Sequence, residues 1–297
     1  MAESAPILHI ITPLAHVSPF DVNMAVDAGY GSIAQYSRVK LEEVRDLTQD
    51  MMFSRAPQAA PRTGLFIGGK DAALAFDMAA EAKSSIFPPF EISIFPDPAG
   101  SFTTAAAMIA KVEQALVKVR PEGLKGARVQ IYGATGVVGS VAAAIAAGAG
   151  AQVTLVSHRD IAAVEEKARD IKSRFGQEVA CAAAASDAEK AALVPQAEVI
   201  LAAGKAGVQI LSQAHLEAAT QLIVAADVNA VPPAGIAGIG AHDAAAVLPH
   251  GTGIGALAIG NLKYAVQHTL LKRMCETTTP LFIDLPVVFE LARTLDA

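Results

Sequence analysis

Residues Val129–Gly139 read VQIYGATGVVG. An apolar, β-branched run stops at Gly133, Gly136 and Gly139 follow, and the Ala-rich run Val141–Ala147 comes next. This is the pattern of a buried strand, a tight glycine turn and the start of a helix. Each glycine has a steric task. Gly133 takes backbone angles closed to other residues, Gly136 lets a phosphate approach the main chain, and Gly139 lets the helix pack close to the sheet. The helix N-terminus then offers N–H groups and a partial positive charge to a pyrophosphate. Gly133, Ala134, Thr135, Gly136, Val137, Val138 and Gly139 are therefore the candidate dinucleotide-binding residues. The spacing is GxxGxxG rather than GxGxxG, and a strand–helix turn without a ligand is the alternative reading.

The next unit narrows the cofactor. Gln152–Val156 (QVTLV) reads as a second strand, ending in Ser157-His158-Arg159-Asp160. An NAD-selective site usually sets an acidic residue at the end of this strand, against the ribose 2′-hydroxyl. Here Ser157 and Arg159 occupy that neighbourhood, and a hydroxyl and a guanidinium suit a 2′-phosphate. Asp160 comes one residue late and is a partial substitute for the missing acid. Ser157, His158 and Arg159 thus point to NADP, with NAD not strongly excluded. A solvated surface arginine is the alternative for Arg159.

Composition agrees with a soluble enzyme. A chain of 297 residues has room for two domains and a large core. Its 53% hydrophobic content, poor in aromatics, suits parallel sheets covered by Ala-rich helices. Lys and Arg number 23 against 29 Asp and Glu, a net charge of −6, and no basic run or Trp favours nucleic acid. No apolar stretch reaches membrane-spanning length, so no membrane partner is expected. The first residues lack the charged-then-apolar layout of a secretory signal, and the cytoplasm is the expected compartment. Cys181 and Cys275 are isolated, which fits a reducing compartment. Neither they nor the seven histidines show metal-ligand spacing, so no metal is expected.

Strands and helices alternate throughout. Ile7–Thr12 reads as a strand, and Ser18 as the cap of a helix running to Gly29 with Pro19 at its first position. Thr63–Gly68 is a strand, Asp71 to Ser85 a helix, Glu91–Phe95 a strand, and Ser101–Val119 a long helix. Arg120–Gly126 reads as a linker. Glu198–Ala203 and Gln221–Ala226 are two further buried strands. A proline- and glycine-rich stretch leads to a helix from about Gly255 to Glu276, and a short final helix covers Pro286–Leu295. The expected fold is α/β with two doubly wound domains and an active-site cleft between them. The expected divisions are an N-terminal substrate domain over 1–120, a dinucleotide-binding domain over 121–270, and a C-terminal helical segment over 271–297 packing back on the first domain.

Ligands of such sheets bind outside the carboxyl ends of the strands, and polar residues gather there. Asp97, Gly100, Ser101, Thr103 and Thr104 follow one strand and open a helix. Ala203, Gly204, Lys205, Ala206 and Gly207 follow another, in the region where nicotinamide usually lies. Asp227-Val228-Asn229-Ala230-Val231-Pro232-Pro233 follows a third. Helix capping, a plain turn and a loop holding itself are the respective alternatives. Lys263 sits on a helix that begins in glycines, where position alone suggests a solvated lysine.

Several long segments resemble a known family. They are Ser18-Pro19-Phe20-Asp21-Val22-Asn23, Phe66-Ile67-Gly68-Gly69-Lys70-Asp71 and Asp97-Pro98-Ala99-Gly100-Ser101-Phe102-Thr103-Thr104. The run from Asp227 to Ile239 (DVNAVPPAGIAGI) and Gly253-Ile254-Gly255-Ala256-Leu257 extend the match over nearly the whole chain. The chain resembles the NAD(P)-dependent methylene-tetrahydromethanopterin dehydrogenases of methylotrophic bacteria, and within them the dual-cofactor branch. The local sequence at Ser157–Asp160 departs from the usual pattern of that branch.

The resemblance implies a Rossmann-type cofactor domain and a reaction. N5,N10-methylene-tetrahydromethanopterin would be oxidised to the methenyl form, with reduction of NAD or NADP, in formaldehyde oxidation. It implies roles for Lys263 and Asp97 at the reaction centre. It also implies that Asp21, Asp27, Gly100, Ser101, Thr103 and Thr104 lie on the pterin side. A homo-oligomer, trimer or hexamer, is implied as well. In the related folate dehydrogenase–cyclohydrolases an active-site lysine assists the chemistry, and the resemblance implies that Lys263 faces the cleft, where it would orient the substrate. An ammonium beside the reacting carbon would oppose the cation that forms there. Lys263 is therefore expected to reach toward a ring carbonyl or carboxylate, or to have a lowered pKa. Two rival readings are a methylene-tetrahydrofolate dehydrogenase of the same fold and a non-catalytic dinucleotide sensor. The first domain lacks the Tyr-x-x-x-Lys pattern of the bifunctional folate enzymes.

Overall fold

The apolar runs at Thr63–Ile67 and Val199–Ala202 become strands buried on both faces, which is what a parallel sheet sheathed in helices demands. The computed structural model describes residues 4–296. The first elements are β1 (Ile7–Thr12), α1 (Pro19–Asp27), β2 (Ile33–Ser37), α2 (Val44–Phe53), β3 (Thr63–Ile67), α3 (Ala72–Ser85), β4 (Ser93–Pro96) and α4 (Ser101–Leu116). They are followed by β5 (Arg128–Tyr132), α5 (Val137–Gly148), β6 (Gln152–Ser157), α6 (Ile161–Phe175), β7 (Ala180–Ala183), α7 (Asp187–Leu193) and β8 (Val199–Ala202). The last are α8 (Gln213–Ala218), β9 (Val224–Asp227), β10 (Ala246–Val247), β11 (Thr252–Ile254), α9 (Ala256–Glu276) and α10 (Leu285–Asp296).

The chain divides into two units. The first runs to Thr103 and includes Tyr264–Val288; the second is Thr104–Lys263 with the residues from Phe289 on. The divisions fall inside α4, α9 and α10, and the Arg120–Gly126 segment lies within the second unit.

The first unit holds a four-stranded parallel sheet in the order β2-β1-β3-β4. The chain winds outward from β1 to β2 and then crosses to β3, so the winding direction reverses between β1 and β3. All five residues of β3 are buried, and Leu65 and Ile67 join Ile11, Met51 and Met78 in one apolar cluster. Burial of each such large side chain stabilises by roughly 1.5–3 kcal/mol. The 281–283 stretch adds to the far side of β4: Ile94 N donates to Leu281 O at 2.8 Å, and Ile283 N donates to Ile94 O at 2.9 Å.

The second unit holds a seven-stranded sheet, β10-β11-β9-β8-β5-β6-β7, parallel except where β10 pairs antiparallel with β11. Counted from β5 and leaving β10 aside, the order is the doubly wound 3-2-1-4-5-6 arrangement, which reverses between β5 and β8. Its core joins Tyr132, Ile200, Leu211, Leu216 and Ile236. Every residue from Val141 to Ala147 in α5 is buried, because their small side chains let this helix lie close on the sheet.

Element ends depart from the sequence reading for local reasons. The first helix stops at Asp27, since Gly29 adopts φ +106 just beyond it. Ser18 is its N-cap residue, yet its hydroxyl makes no capping bond. Helix α4 stops at Leu116, and Gly123 (φ +57) and Gly126 (φ +73) turn the chain before β5.

Candidate active site

The glycine turn lies where the sheet of the second unit reverses. Gly133 has φ +82. A Cβ on it would sit 2.5 Å from the carbonyl carbon of Ala203 and the nitrogen of Gly204, so the turn after β5 rests directly on the loop after β8. A Cβ on Gly139 would come 2.5 Å from the Gly133 oxygen, which lets α5 start against the turn. Gly136 is the N-cap of this twelve-residue helix, and no side chain caps it. The first intrahelical donor is the Ser140 N–H, bound to Gly136 O at 3.0 Å. The preceding N–H groups of Val137, Val138 and Gly139 form the helix's electropositive start. Ala134 is buried and Thr135 exposed. Bare backbone, an uncapped helix start and three Cβ-free positions fit a pyrophosphate.

At the end of β6, Ser157 is buried while His158, Arg159 and Asp160 are exposed. The Ser157 hydroxyl donates to Asp160 O at 2.6 Å and accepts the Arg159 N–H at 3.3 Å. The Asp160 carboxylate accepts the Ala162 N–H at 2.9 Å and so caps α6. Ser157 and Asp160 thus shape the turn, and Arg159 projects its guanidinium from it.

At the end of β9, Asp227 and Asn229 are both buried and both bonded to backbone. Asp227 Oδ1 accepts the Asn229 N–H at 2.9 Å, and Oδ2 accepts the Ile236 N–H at 3.1 Å. Burial pushes the Asp227 carboxyl above its ordinary range, opposed by the N–H groups of Asn229, Ile236 and Gly235. Asn229 Oδ1 accepts the N–H groups of Val231 at 2.9 Å and Gly207 at 3.2 Å, and Nδ2 donates to Pro233 O at 2.8 Å.

In the first unit two carboxylates flank the end of β3. Asp97 follows β4, and its N–H donates to Ile67 O at 3.0 Å. Its wholly buried carboxylate accepts the N–H groups of Phe102 at 2.9 Å and Thr103 at 3.2 Å, and the Thr103 hydroxyl at 2.7 Å. Asp97 therefore holds the start of α4 from five residues upstream. Between them Ala99 adopts φ +53, strained for a residue with a Cβ, and Gly100 φ +63. Ser101 is fully buried, and its hydroxyl has no hydrogen-bond partner among the described residues. Thr104, one turn on, is half-buried.

Asp21 is buried on α1, with Oδ2 3.8 Å from the position a Gly68 Cβ would take. It thus faces the end of β3 at the point where this sheet reverses. Gln267, wholly buried on α9, donates from Nε2 to Asp21 Oδ1 at 3.2 Å. The sequence reading did not single out Gln267. Asp27, at the other end of α1, is exposed and is not brought beside Asp21; its carbonyl oxygen lies 3.2 Å from His268 Nε2. Lys263 is 9% exposed on α9, a buried lysine rather than a solvated one. Among the described residues no group of three or more His, Cys, Asp or Glu is placed to hold a metal ion, and no helix is long and apolar enough to cross a membrane.

A 3-2-1-4-5-6 sheet with a bare glycine turn at its reversal point defines a Rossmann-type dinucleotide-binding protein, here with a second parallel α/β unit. The chain is 50% identical over 288 residues to the NAD(P)-dependent methylenetetrahydromethanopterin dehydrogenase of Methylorubrum extorquens, spanning 96% of this chain and 97% of that one. It belongs to the methylenetetrahydromethanopterin dehydrogenase family. Residues 19–99 match the family described as methylene-tetrahydromethanopterin dehydrogenase, N-terminal. The Bifunctional protein MdtA of the same organism is 32% identical over 94% of each chain. Shikimate 5-dehydrogenase from Listeria monocytogenes shares the fold, at a TM-score of 0.53 and 14% identity over 97% of this chain and 96% of its own.

Proposed function

We propose that this chain oxidises N5,N10-methylene-tetrahydromethanopterin to the methenyl form, with NAD or NADP as the hydride acceptor. The observation that carries this reading is the 50% identity along 96% of the chain to the NAD(P)-dependent methylenetetrahydromethanopterin dehydrogenase. The reaction balances without a proton acceptor. A carbon flanked by two nitrogens loses hydride, and the nitrogen lone pairs spread the resulting positive charge. Bound nicotinamide dinucleotide supplies the acceptor carbon.

The task left to the chain is alignment and electrostatics. The Gly133–Gly139 turn and the start of α5 hold the pyrophosphate. Ser157 shapes the turn from which His158 and Arg159 meet the adenosine ribose. Asp97 and Asp21 supply negative potential where the amidinium charge develops, and Lys263 orients the substrate. The unsatisfied Ser101 hydroxyl and the half-buried Thr104 contact the pterin, beside Gly100 and the Thr103 that orients Asp97. The first unit takes the substrate role and the second the cofactor role. The expected compartment is the cytoplasm and the expected assembly a homo-oligomer, trimer or hexamer, which light scattering tests.

The deciding experiment mixes purified protein with methylene-tetrahydromethanopterin or methylene-tetrahydrofolate, each with NAD or NADP. Reduced nicotinamide and the methenyl product are followed by absorbance. Turnover with the methanopterin carrier supports the reading. Turnover with the folate carrier alone, or with neither, overturns it.

A further inference from the structure

We infer that Asn229 is a positioning residue that fixes the nicotinamide half of the cofactor site. It does so by locking together the two loops at the ends of β8 and β9. The inference rests on the dinucleotide-binding reading of the second unit. A doubly wound sheet of this order is built from two mononucleotide-binding halves. The β5–β7 half carries the adenosine-side ribose position at Ser157–Asp160, so β8, β9 and β11 form the half left for the nicotinamide nucleotide.

Two loops emerge there, and neither is held by regular structure. The loop after β8 carries Ala203 to Gly207; the one after β9 carries Asn229 to Gly235. Asn229 is 8% exposed, and its side chain bonds one group in the first loop and two in its own. Its oxygen takes the Gly207 N–H from the first loop and the Val231 N–H from the second, and its NH₂ group donates to Pro233 O. A second tie lies further along: Ile210 N donates to Gly235 O at 2.7 Å, and Ala237 N donates to Leu211 O at 2.9 Å. Asp227 closes the frame, and the space beside its carboxylate admits only glycine at 235, where a Cβ would lie 2.8 Å from Oδ1. The β8 loop also touches Gly133, so a shift of that loop changes the spacing between the two halves of the site. The amide of Asn229 can both accept two N–H groups and donate to a carbonyl, which an ionised Asp, an acceptor only, does not reproduce.

The test separates the two halves of the cofactor. Wild type, N229A and N229D are titrated calorimetrically with NADH and with ADP-ribose, which lacks the nicotinamide ring. The 2′-phosphorylated pair is used instead if the wild type binds it more tightly. The loss of three partly buried hydrogen bonds is expected to weaken NADH binding about tenfold or more in N229A. ADP-ribose binding should stay within about twofold of wild type, since the glycine turn is untouched. N229D keeps the acceptor oxygen and is expected to fall between the two; it is read alone if N229A does not fold. Equal losses for both ligands, or no loss for either, overturn the inference while leaving the dinucleotide reading standing. A wild-type chain that binds neither ligand overturns both.

Discussion

Thr103 holds the Asp97 carboxylate by two atoms at once. Its hydroxyl donates to Oδ2 at 2.7 Å and its backbone N–H donates to Oδ1 at 3.2 Å, with both residues wholly buried. A hydrogen bond to a buried charge is worth about 1.5–3 kcal/mol. Thr103→Val keeps the shape and removes one donor. The expected result is a fall in melting temperature of roughly 5 °C together with reduced turnover, and Thr103→Ser should recover most of both. Thermal denaturation beside steady-state kinetics checks this. Unchanged turnover in the valine variant would detach Asp97 from the chemistry.

The glycines of the turn should fail in different ways. Gly133 has φ +82 and no room for a methyl group, since the obstacle is the Ala203–Gly204 backbone. Gly133→Ala is expected to lower the melting temperature and abolish cofactor binding. Gly136 has φ −74, and its Cβ would meet the Gly133 oxygen at 3.2 Å and the Ala203 oxygen at 3.5 Å. Gly136→Ala is therefore expected to keep its melting temperature nearly intact while losing cofactor affinity about tenfold or more, because the added methyl fills the phosphate approach. NADPH fluorescence titration of the two folded variants makes the comparison.

Arg159 projects from a turn in which the Ser157 hydroxyl and the Asp160 carboxylate are already committed. Arg159→Ala is expected to raise the Michaelis constant for NADP about tenfold, the worth of one charge-assisted contact, and to leave that for NAD nearly unchanged. Equal values for both cofactors in the variant and the parent would make Arg159 a solvated surface residue.

His9 gives the fold an acid limit. Its imidazole stacks on Tyr36, and Nδ1 lies 3.1 Å from the tyrosine oxygen. Burial, aided by the Arg55 charge, lowers its pKa from the ordinary 6.5. The folded state thus favours the neutral ring while the unfolded chain binds a proton near pH 6.5. This contribution to stability is full above that pH and is lost as the pH falls toward the lowered folded value. His9→Phe keeps a ring on Tyr36 and removes the titration. Its melting temperature is expected to fall less than that of the wild type between about pH 7.5 and about pH 5.5.

The central strands were legible because parallel strands buried on both faces leave unbroken apolar runs, as in VQIY and VILA. The edge strands were not. β2 (IAQYS) and β7 (ACAA) are partly exposed, so neither has such a run, and alanine is a weak strand former. Asp97, Ser101 and Thr103 could be found because they close a strand and open a helix. Asp21 and Asp27 look alike in SPFDVNMAVDAG, yet six residues of helix turn them to different faces, one buried and one exposed. Gln267 was hidden because its partner Asp21 is 246 residues away, and nothing local marks a glutamine in a polar stretch as buried. Asp227 and Asn229 stood out by position, but their type does not say that their bonds go to backbone.

Helix α5 carries a consequence for how the site responds to its ligand. Five of the seven residues from Val141 to Ala147 are alanines, and all seven are buried. Alanine has no rotamers to lose, so seating this helix costs almost no side-chain entropy. If the dinucleotide-binding reading holds, its N-terminal amides need little ordering to meet a phosphate, and little would be deducted from the affinity. The same economy leaves no slack. An alanine enlarged to valine anywhere along the buried run has no alternative pose to adopt, and it must lift the helix start away from the place where a ligand would meet it.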